Sequence, residues 1–321
     1  MRMMKGLIHT VRGDIAPEEL GFCQSHEHIL LRKSHSYVIN PVLWQDDPLL
    51  SGQELVSYAG RGGKAVVDAQ PVGCGRMAQE LLQISEKSDV HIIASTGFHK
   101  LIFYPEEHWI HTITTEDFTR LLLEELTEGM YEDGDESPVS FRTKVRAGQI
   151  KTAVDAEGLT PRYRRIFQAA AGAGKISGAP VMIHIEKGAD PLEVLAFFTE
   201  NNISASQLIF CHLDRACDDP AVHETVARSG AYLEYDTIGR FKYHSDRREA
   251  EIFLHMMNAG FEKQILFSLD TTRARLGAYG GEISLLYIMD TFLPVLKENG
   301  ITPEQIHLIS TANPAAAFAW R

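Results

Sequence analysis

Short apolar runs alternate with longer amphipathic ones over most of this chain. Eight runs rich in Val, Ile, Leu and Phe have the length of strands: Gly21–His28, Lys64–Val72, His91–Gly97, Ala147–Ala153, Pro180–Ile185, Gln207–Leu213, Ala231–Ile238 and Gln264–Asp270. Nearly continuous apolar runs suit parallel strands buried on both faces. Helical spacing recurs over Ser51–Gly60, Met77–Ser88, Thr115–Met130, Arg162–Ile176, Pro191–Asn201, Pro220–Ser229, Asp246–Ala259 and Ile283–Asn299. Thr114, Thr115 and Glu116 supply a helix start, and Gly178, Gly230 and Gly260 supply helix stops. Eight strand–helix repeats predict an α/β fold, a (β/α)8 TIM barrel forming one domain over residues 1–321. The rival is an open doubly wound sheet. Against it, the first strand leads into a histidine pair rather than a glycine-rich phosphate loop. The acidic, turn-rich stretch Tyr131–Pro138 reads as an exposed loop before the fourth strand.

Composition narrows the class. Of 321 residues, 44% are hydrophobic and 23% charged, enough to bury a large core without staples. The net charge of −12 argues against a general nucleic-acid binder, which needs a basic face. Cys23, Cys74, Cys211 and Cys217 show no CxxC spacing and lie in or just after apolar runs. They read as reduced thiols, which suits the cytoplasm. The start, Met1 to Gly6, is basic with no long apolar stretch after it, so no signal peptide or membrane span is expected.

Barrel active sites form at the C-terminal ends of the strands. His26 and His28 close the first strand two residues apart, so both imidazoles point the same way. Lys151 lies in the fourth strand, His184 in the fifth, His212 in the sixth and Asp270 at the end of the eighth. Each is a lone polar group in an apolar run, costly to bury without a partner. Singly, a strand histidine is a satisfied core residue, a strand-end aspartate a helix cap, and a lysine a counter-ion. Together, at one barrel mouth, they point to a metal site.

With these positions in order, the chain resembles the phosphotriesterase-like enzymes of the amidohydrolase superfamily. The carrying segments are His26-Glu27-His28, Arg146 to Lys151, His184, His212 and Asp270. The resemblance implies that His26, His28 and Asp270 bind one buried metal, and that His184 and His212 bind a second. It also implies that Lys151 is carboxylated on its amine and bridges both. A free ammonium beside two divalent cations would be repelled, whereas a carbamate is anionic. Zinc is the expected ion, with manganese or a mixed pair as alternatives. Such a pair lowers the pKa of water to give hydroxide, and Asp270 is placed to take the proton of the attacking water.

Specificity turns on the last two loops. Ile238 to Tyr243 and Asp270 to Gly280 bring Arg240, Lys242, Arg273 and Arg275 together with Tyr243 and Tyr279. Barrels frequently bind phosphate there. Lys242, Arg275 and Tyr279 are the first candidates for a substrate phosphate, followed by Arg273 and Arg240, with Arg215 near the mouth. Alternatively these are solvated residues or partners of acidic neighbours. Paraoxon-hydrolysing members carry tryptophan after the last aspartate, where Thr271 and Thr272 stand here. Their proton-relay aspartate and histidine correspond to Arg215 and Thr237. The expected function is a metal-dependent lactonase acting on a phosphorylated sugar lactone, a small anionic molecule. Three alternatives remain: a phosphoester hydrolase, a hydrolase of an uncharged lactone or ester, and a non-catalytic ligand-binding barrel. A homodimer is compatible with the sequence.

Other residues read more plainly. His99 and Lys100 read first as surface loop, with pocket lining as the alternative. The aromatic segment 104–113 is a possible lid left unassigned. His223, His244, His255 and His307 read as ordinary. Asp68 is either support for a ligand histidine or a buried hydrogen-bonding group, and Asn313-Pro314 a helix-start turn.

Overall fold

The computed structural model describes residues 6–132, 134–135 and 141–321. The basic start at residues 1–5, and positions 133 and 136–138 of the expected acidic loop, lie outside the described residues. An antiparallel hairpin, β1 (Ile8–Thr10) and β2 (Gly13–Ile15), comes first. Eight parallel strands follow: β3 (Cys23–Glu27), β4 (Ala65–Asp68), β5 (His91–Gly97), β6 (Gln149–Val154), β7 (Val181–Ile185), β8 (Leu208–Cys211), β9 (Tyr232–Tyr235) and β10 (Ile265–Phe267). Each pairs with the next in chain order, and the sheet curls into a nearly closed barrel. The sequence predicted all eight, though every one but the third is shorter than its apolar run.

Side chains close the seam between β10 and β3. The Glu27 carboxylate accepts from Ser268 Oγ at 2.6 Å and from the backbone N–H groups of Leu269 and Thr271 at 2.9 Å each. Ser25 Oγ lies 2.9 Å from Glu234 and 3.1 Å from the Phe267 carbonyl. The Asp270 N–H donates to the His26 carbonyl at 3.1 Å. The seam therefore ties the two strand ends that carry His26 and Asp270.

Apolar residues between strands and helices form the main core. A second cluster, including Cys23, Val67, Ile93, Met182, Ile209 and Leu266, fills the barrel floor. The N-terminal hairpin and the C-terminus cap that floor: Trp320 Nε1 donates to the Gly148 carbonyl at 2.8 Å, and His9 stacks on the Trp320 ring at 3.8 Å. Gly97 has φ +101°, and a Cβ there would stand 1.8 Å from the Lys151 carbonyl. Only glycine lets β5 approach β6 this closely.

The expected helix Ile283–Asn299 is the main local departure. Its first residues are irregular; a π-helical turn spans Ile288–Phe292, and α-helix follows over Leu293–Glu298. Pro294 has no N–H to offer the carbonyl four residues back, so the ladder widens before it. Pro314 follows a second π-turn, Leu308–Ala312, in the same way. There Asn313 Nδ2 also donates to the carbonyls of Glu262 and Ile265, fastening the last helix beside β10. The predicted stops Gly178, Gly230 and Gly260 all take positive φ.

Candidate metal centre

Six side chains from five strands meet at the C-terminal end of the barrel. His26 ends β3 with His28 just beyond; Lys151 is in β6, His184 in β7, His212 directly after β8, and Asp270 three residues after β10. All are less than a tenth exposed, and Lys151 is wholly buried. Lys151 Nζ lies 3.2 Å from His26 Nε2. Asp270 Oδ1 faces His28 Nε2 at 3.5 Å and His26 Nε2 at 3.8 Å. The His184 and His212 rings are 4.3 Å apart, and His26 and His212 4.9 Å. His212 and Asp270 sit in the left-handed region at φ 65° and 48°, a strained conformation that concentrates at functional sites.

Carboxylates behind the histidines fix their ring orientation. Asp236 Oδ1 lies 2.5 Å from His212 Nδ1, and its Oδ2 lies 3.4 Å from His26 Nδ1. With Nδ1 of His212 committed to Asp236, its Nε2 keeps a free lone pair. Glu186 Oε2 lies 3.5 Å from His184 Nε2. Burial, with neighbouring positive groups, pushes the pKa of His26, His184 and His212 well below the usual imidazole value. The neutral ring is the form that ligates metal.

This donor set fits divalent cations. Donor atoms of His26, His28 and Asp270 lie within 4.8 Å of one another. The Nε2 atoms of His26 and His28 both face Asp270, while the Nδ1 of His28 is buried without a hydrogen bond. Lys151 adds a wholly buried amine among these imidazoles.

A cavity of about 620 Å³ opens over this cluster. Its wall includes Arg215, Arg240, Lys242, Arg275, His99 and Lys100. Arg240 pairs with Asp270 Oδ2 at 2.9 Å. Lys100 pairs with Glu186 at 2.7 Å, and Arg215 lies 3.5 Å from the same carboxylate. Arg275 is buried and donates to the carbonyls of Ile238 and Gly239 at 2.6 and 3.1 Å.

The family model for the phosphotriesterase family matches residues 6–318. The chain belongs to the phosphotriesterase family. It is a metal-dependent hydrolase of that family's barrel type. A phospho-furanose lactonase of Mycoplasmopsis synoviae is 28% identical over 97% of this chain and 91% of its own length. An N-acetyltaurine hydrolase of Danio rerio is 28% identical over 98% of each chain. Among solved structures, a lactonase from Listeria monocytogenes is 29% identical and superposes with a TM-score of 0.89 over 98% of this chain and 99% of its own.

Within this phosphotriesterase-family site, the loop residues divide. Lys242, Arg275, Arg240 and Arg215 line the cavity, but Arg273 and Tyr279 do not. The Arg273 guanidinium stacks over the Trp44 ring at 4.4 Å, and the Tyr279 hydroxyl bonds to Ser51 at 2.8 Å and to the Asp47 backbone. His99 and Lys100 are cavity residues rather than surface loop: the His99 ring is 5.3 Å from that of His184. The aromatic segment 104–113 is no lid, because Tyr104, Trp109 and Ile110 pack into the core. Asp68 is a buried hydrogen-bonding group, accepting from the N–H groups of Ile29 and Gln70. His223 and His255 are ordinary partners of Tyr235 and Glu224, but His244 belongs to a buried acidic cluster. Sequence reasoning missed Glu27, Asp236 and Glu186. Asp236 carried the same signal as Asp270, a polar residue at a strand end, while Glu186 is marked only by its spacing from His184.

Proposed function

We propose that this hydrolase opens the ring of a lactone that carries a phosphate, a small anionic sugar derivative. The observation that carries the reading is the state of the cavity's cations. Arg240, Lys100 and Arg215 are engaged by carboxylates, whereas Lys242 and Arg275 have no carboxylate partner among the described residues. Both line the cavity over the metal ligands. An anionic group on the substrate would balance their charge: Arg275, held by the carbonyls of Ile238 and Gly239, keeps its Nε without a hydrogen bond, and Lys242 offers a point charge. The phospho-furanose lactonase relative supports the same substrate class.

His26, His28 and Asp270 would hold one divalent ion and His184 and His212 a second, with carboxylated Lys151 between them. Two such ions, zinc or else manganese or a mixed pair, would lower the pKa of water and polarise the ring carbonyl. Asp270 accepts the proton released as water adds to the carbonyl carbon, and returns it to the ring oxygen as the C–O bond breaks. Arg240 steadies the Asp270 carboxylate throughout. Phosphate held at Lys242 and Arg275 orients the ring and takes no part in bond breaking.

We further propose that the whole chain, 1–321, works as one domain in the cytoplasm, as a homodimer, with neither nucleic acid nor membrane as partner. Four unpaired cysteines suit the cytoplasm, and the net charge of −12 argues against nucleic acid as a partner. No described helix is long and apolar enough to cross a membrane.

The test is acid release from lactones with and without a phosphate, beside phosphoesters and N-acyl sulfonates, with zinc or manganese added. Acid release that depends on the phosphate is the expected result. Inorganic phosphate release, or equal rates on lactones lacking the phosphate, overturns the reading. Turnover confined to N-acyl sulfonates would move the same cations to a sulfonate handle and the reaction to an amide.

A further inference from the structure

A second group of donor atoms lies behind the wall of the active-site cavity. Asp214 follows β8, while His244 and Glu249 come from the start of the helix Asp246–Asn258 and the loop before it. One donor atom from each lies within 4.8 Å of the other two. Asp214 is 4% exposed and Glu249 0%. Asp214 Oδ2 is fully committed: it accepts from the N–H groups of Asp236 and Thr237 at 3.1 and 2.7 Å, and from the Thr237 hydroxyl at 2.5 Å. Its Oδ1, and Oε1 of Glu249, are buried with no donor at all. Buried carboxylate oxygens left without a donor are costly, and in native proteins they point to a bound water or ion.

The ion pair of His244 with Glu249, at 3.0 Å, does not meet this need. It reaches only Oε2 of Glu249. A cavity of about 520 Å³, distinct from the one over the histidines, adjoins both Asp214 and His244 and gives an ion a way in.

We propose that Asp214, His244 and Glu249 form a third, mononuclear site for a divalent cation of the manganese-to-zinc class. Two carboxylate oxygens and one imidazole nitrogen suit that class and not a soft ion. The Thr237 hydroxyl, 3.2 Å from His244 Nε2, and water from the cavity complete the shell. Asp214 also holds the backbone of Asp236, whose carboxylate orients His212. A cation here therefore braces the second layer of the catalytic centre without touching substrate.

Chelator-stripped wild type, Glu249→Gln and His244→Asn are dialysed against manganese, and the metal bound per chain is counted by mass spectrometry. Wild type is expected to hold one ion more than either variant. Because the readout is a difference, a surprising total at the catalytic centre stays distinguishable from failure of this site. Equal counts in folded variants, as judged by circular dichroism, overturn the proposal. Where a variant does not fold, anomalous diffraction at the manganese edge from wild-type crystals decides. A peak bounded by the three side chains supports the site, and a map without one there overturns it.

Discussion

Replacing Glu27 by alanine tests how the barrel is closed. β10 and β3 share no ladder pairing, and the Glu27 carboxylate stands in for it by accepting from Ser268 Oγ, Leu269 N–H and Thr271 N–H. All four residues are buried, so water cannot replace the lost acceptor. Three stranded donors at about 1–2 kcal/mol each place the loss at roughly 3–6 kcal/mol. An unfolding entropy of about 2.1 cal/mol/K per residue means that, over 321 residues, each kcal/mol moves Tm by roughly 1.5 °C. Glu27→Ala should therefore melt about 5–9 °C below wild type. Glu27→Gln keeps one acceptor oxygen but turns an amide toward a donor, and should fall between the two. Calorimetry on chelator-stripped protein is the assay, because bound metal would add its own linkage to the folded state. A Glu27→Ala protein that melts within about 1 °C of wild type would show that this carboxylate does not close the seam.

Lys151→Ala should lose metal and activity together, turnover falling on the order of 100-fold or more, with partial recovery in short carboxylic acids; full activity without them would end the bridging role. Asp236→Asn should weaken metal affinity by about 10–100-fold, read by competition with a chromogenic chelator, because it releases the ring orientation of His212 and His26 together. His9 sets a pH dependence. Burial pushes its pKa from 6.5 down to about 4, against the pull of Asp14. The folded value lies below the unfolded one, so as pH falls from about 6.5 toward 4 the unfolded chain takes a proton that the folded chain refuses, and stability is lost. Urea unfolding at pH 7.5 and pH 5 should show a larger acid loss in wild type than in His9→Gln, and equal losses would exclude His9.

The barrel was legible because each strand is buried on both faces, which writes an uninterrupted apolar run. The six residues that converge at the barrel mouth were legible for the same reason, since a lone His, Lys or Asp stands out against such a run. Asp236, just past β9, did not stand out, because Glu234 lies in the same apolar run and blurs the contrast. The Lys100–Glu186 pair joins residues 86 positions apart, and no local pattern encodes it. The hairpin β1–β2 has three residues per strand, too few for periodicity to register. Arg273 and Tyr279 were grouped with Arg275 because they are close in sequence. In an irregular loop, nearness in sequence does not set direction, and only Arg275 turns to the cavity. Pro294 was visible, but its effect was not: it reshaped a helix instead of ending it.

The electrostatics around Asp270 bear on what kind of bond the centre can break. Burial alone would raise this carboxylate's pKa, but Arg240 at 2.9 Å, with His28, His212 and His26, holds it well below the usual value. These neighbours favour the ionised form of Asp270. The same stabilisation makes it a weak base, so a proton placed on it is readily given up. A lactone needs that second property more than the first. Its leaving group is an alkoxide, strongly basic, and ring opening stalls unless a proton reaches the departing oxygen. A phosphotriester with an acidic phenol as leaving group has no such need, because the phenolate departs unaided. If Asp270 is the proton carrier we propose, its pairing with Arg240 suits substrates whose leaving oxygen is basic, independently of where the substrate's anionic group is held.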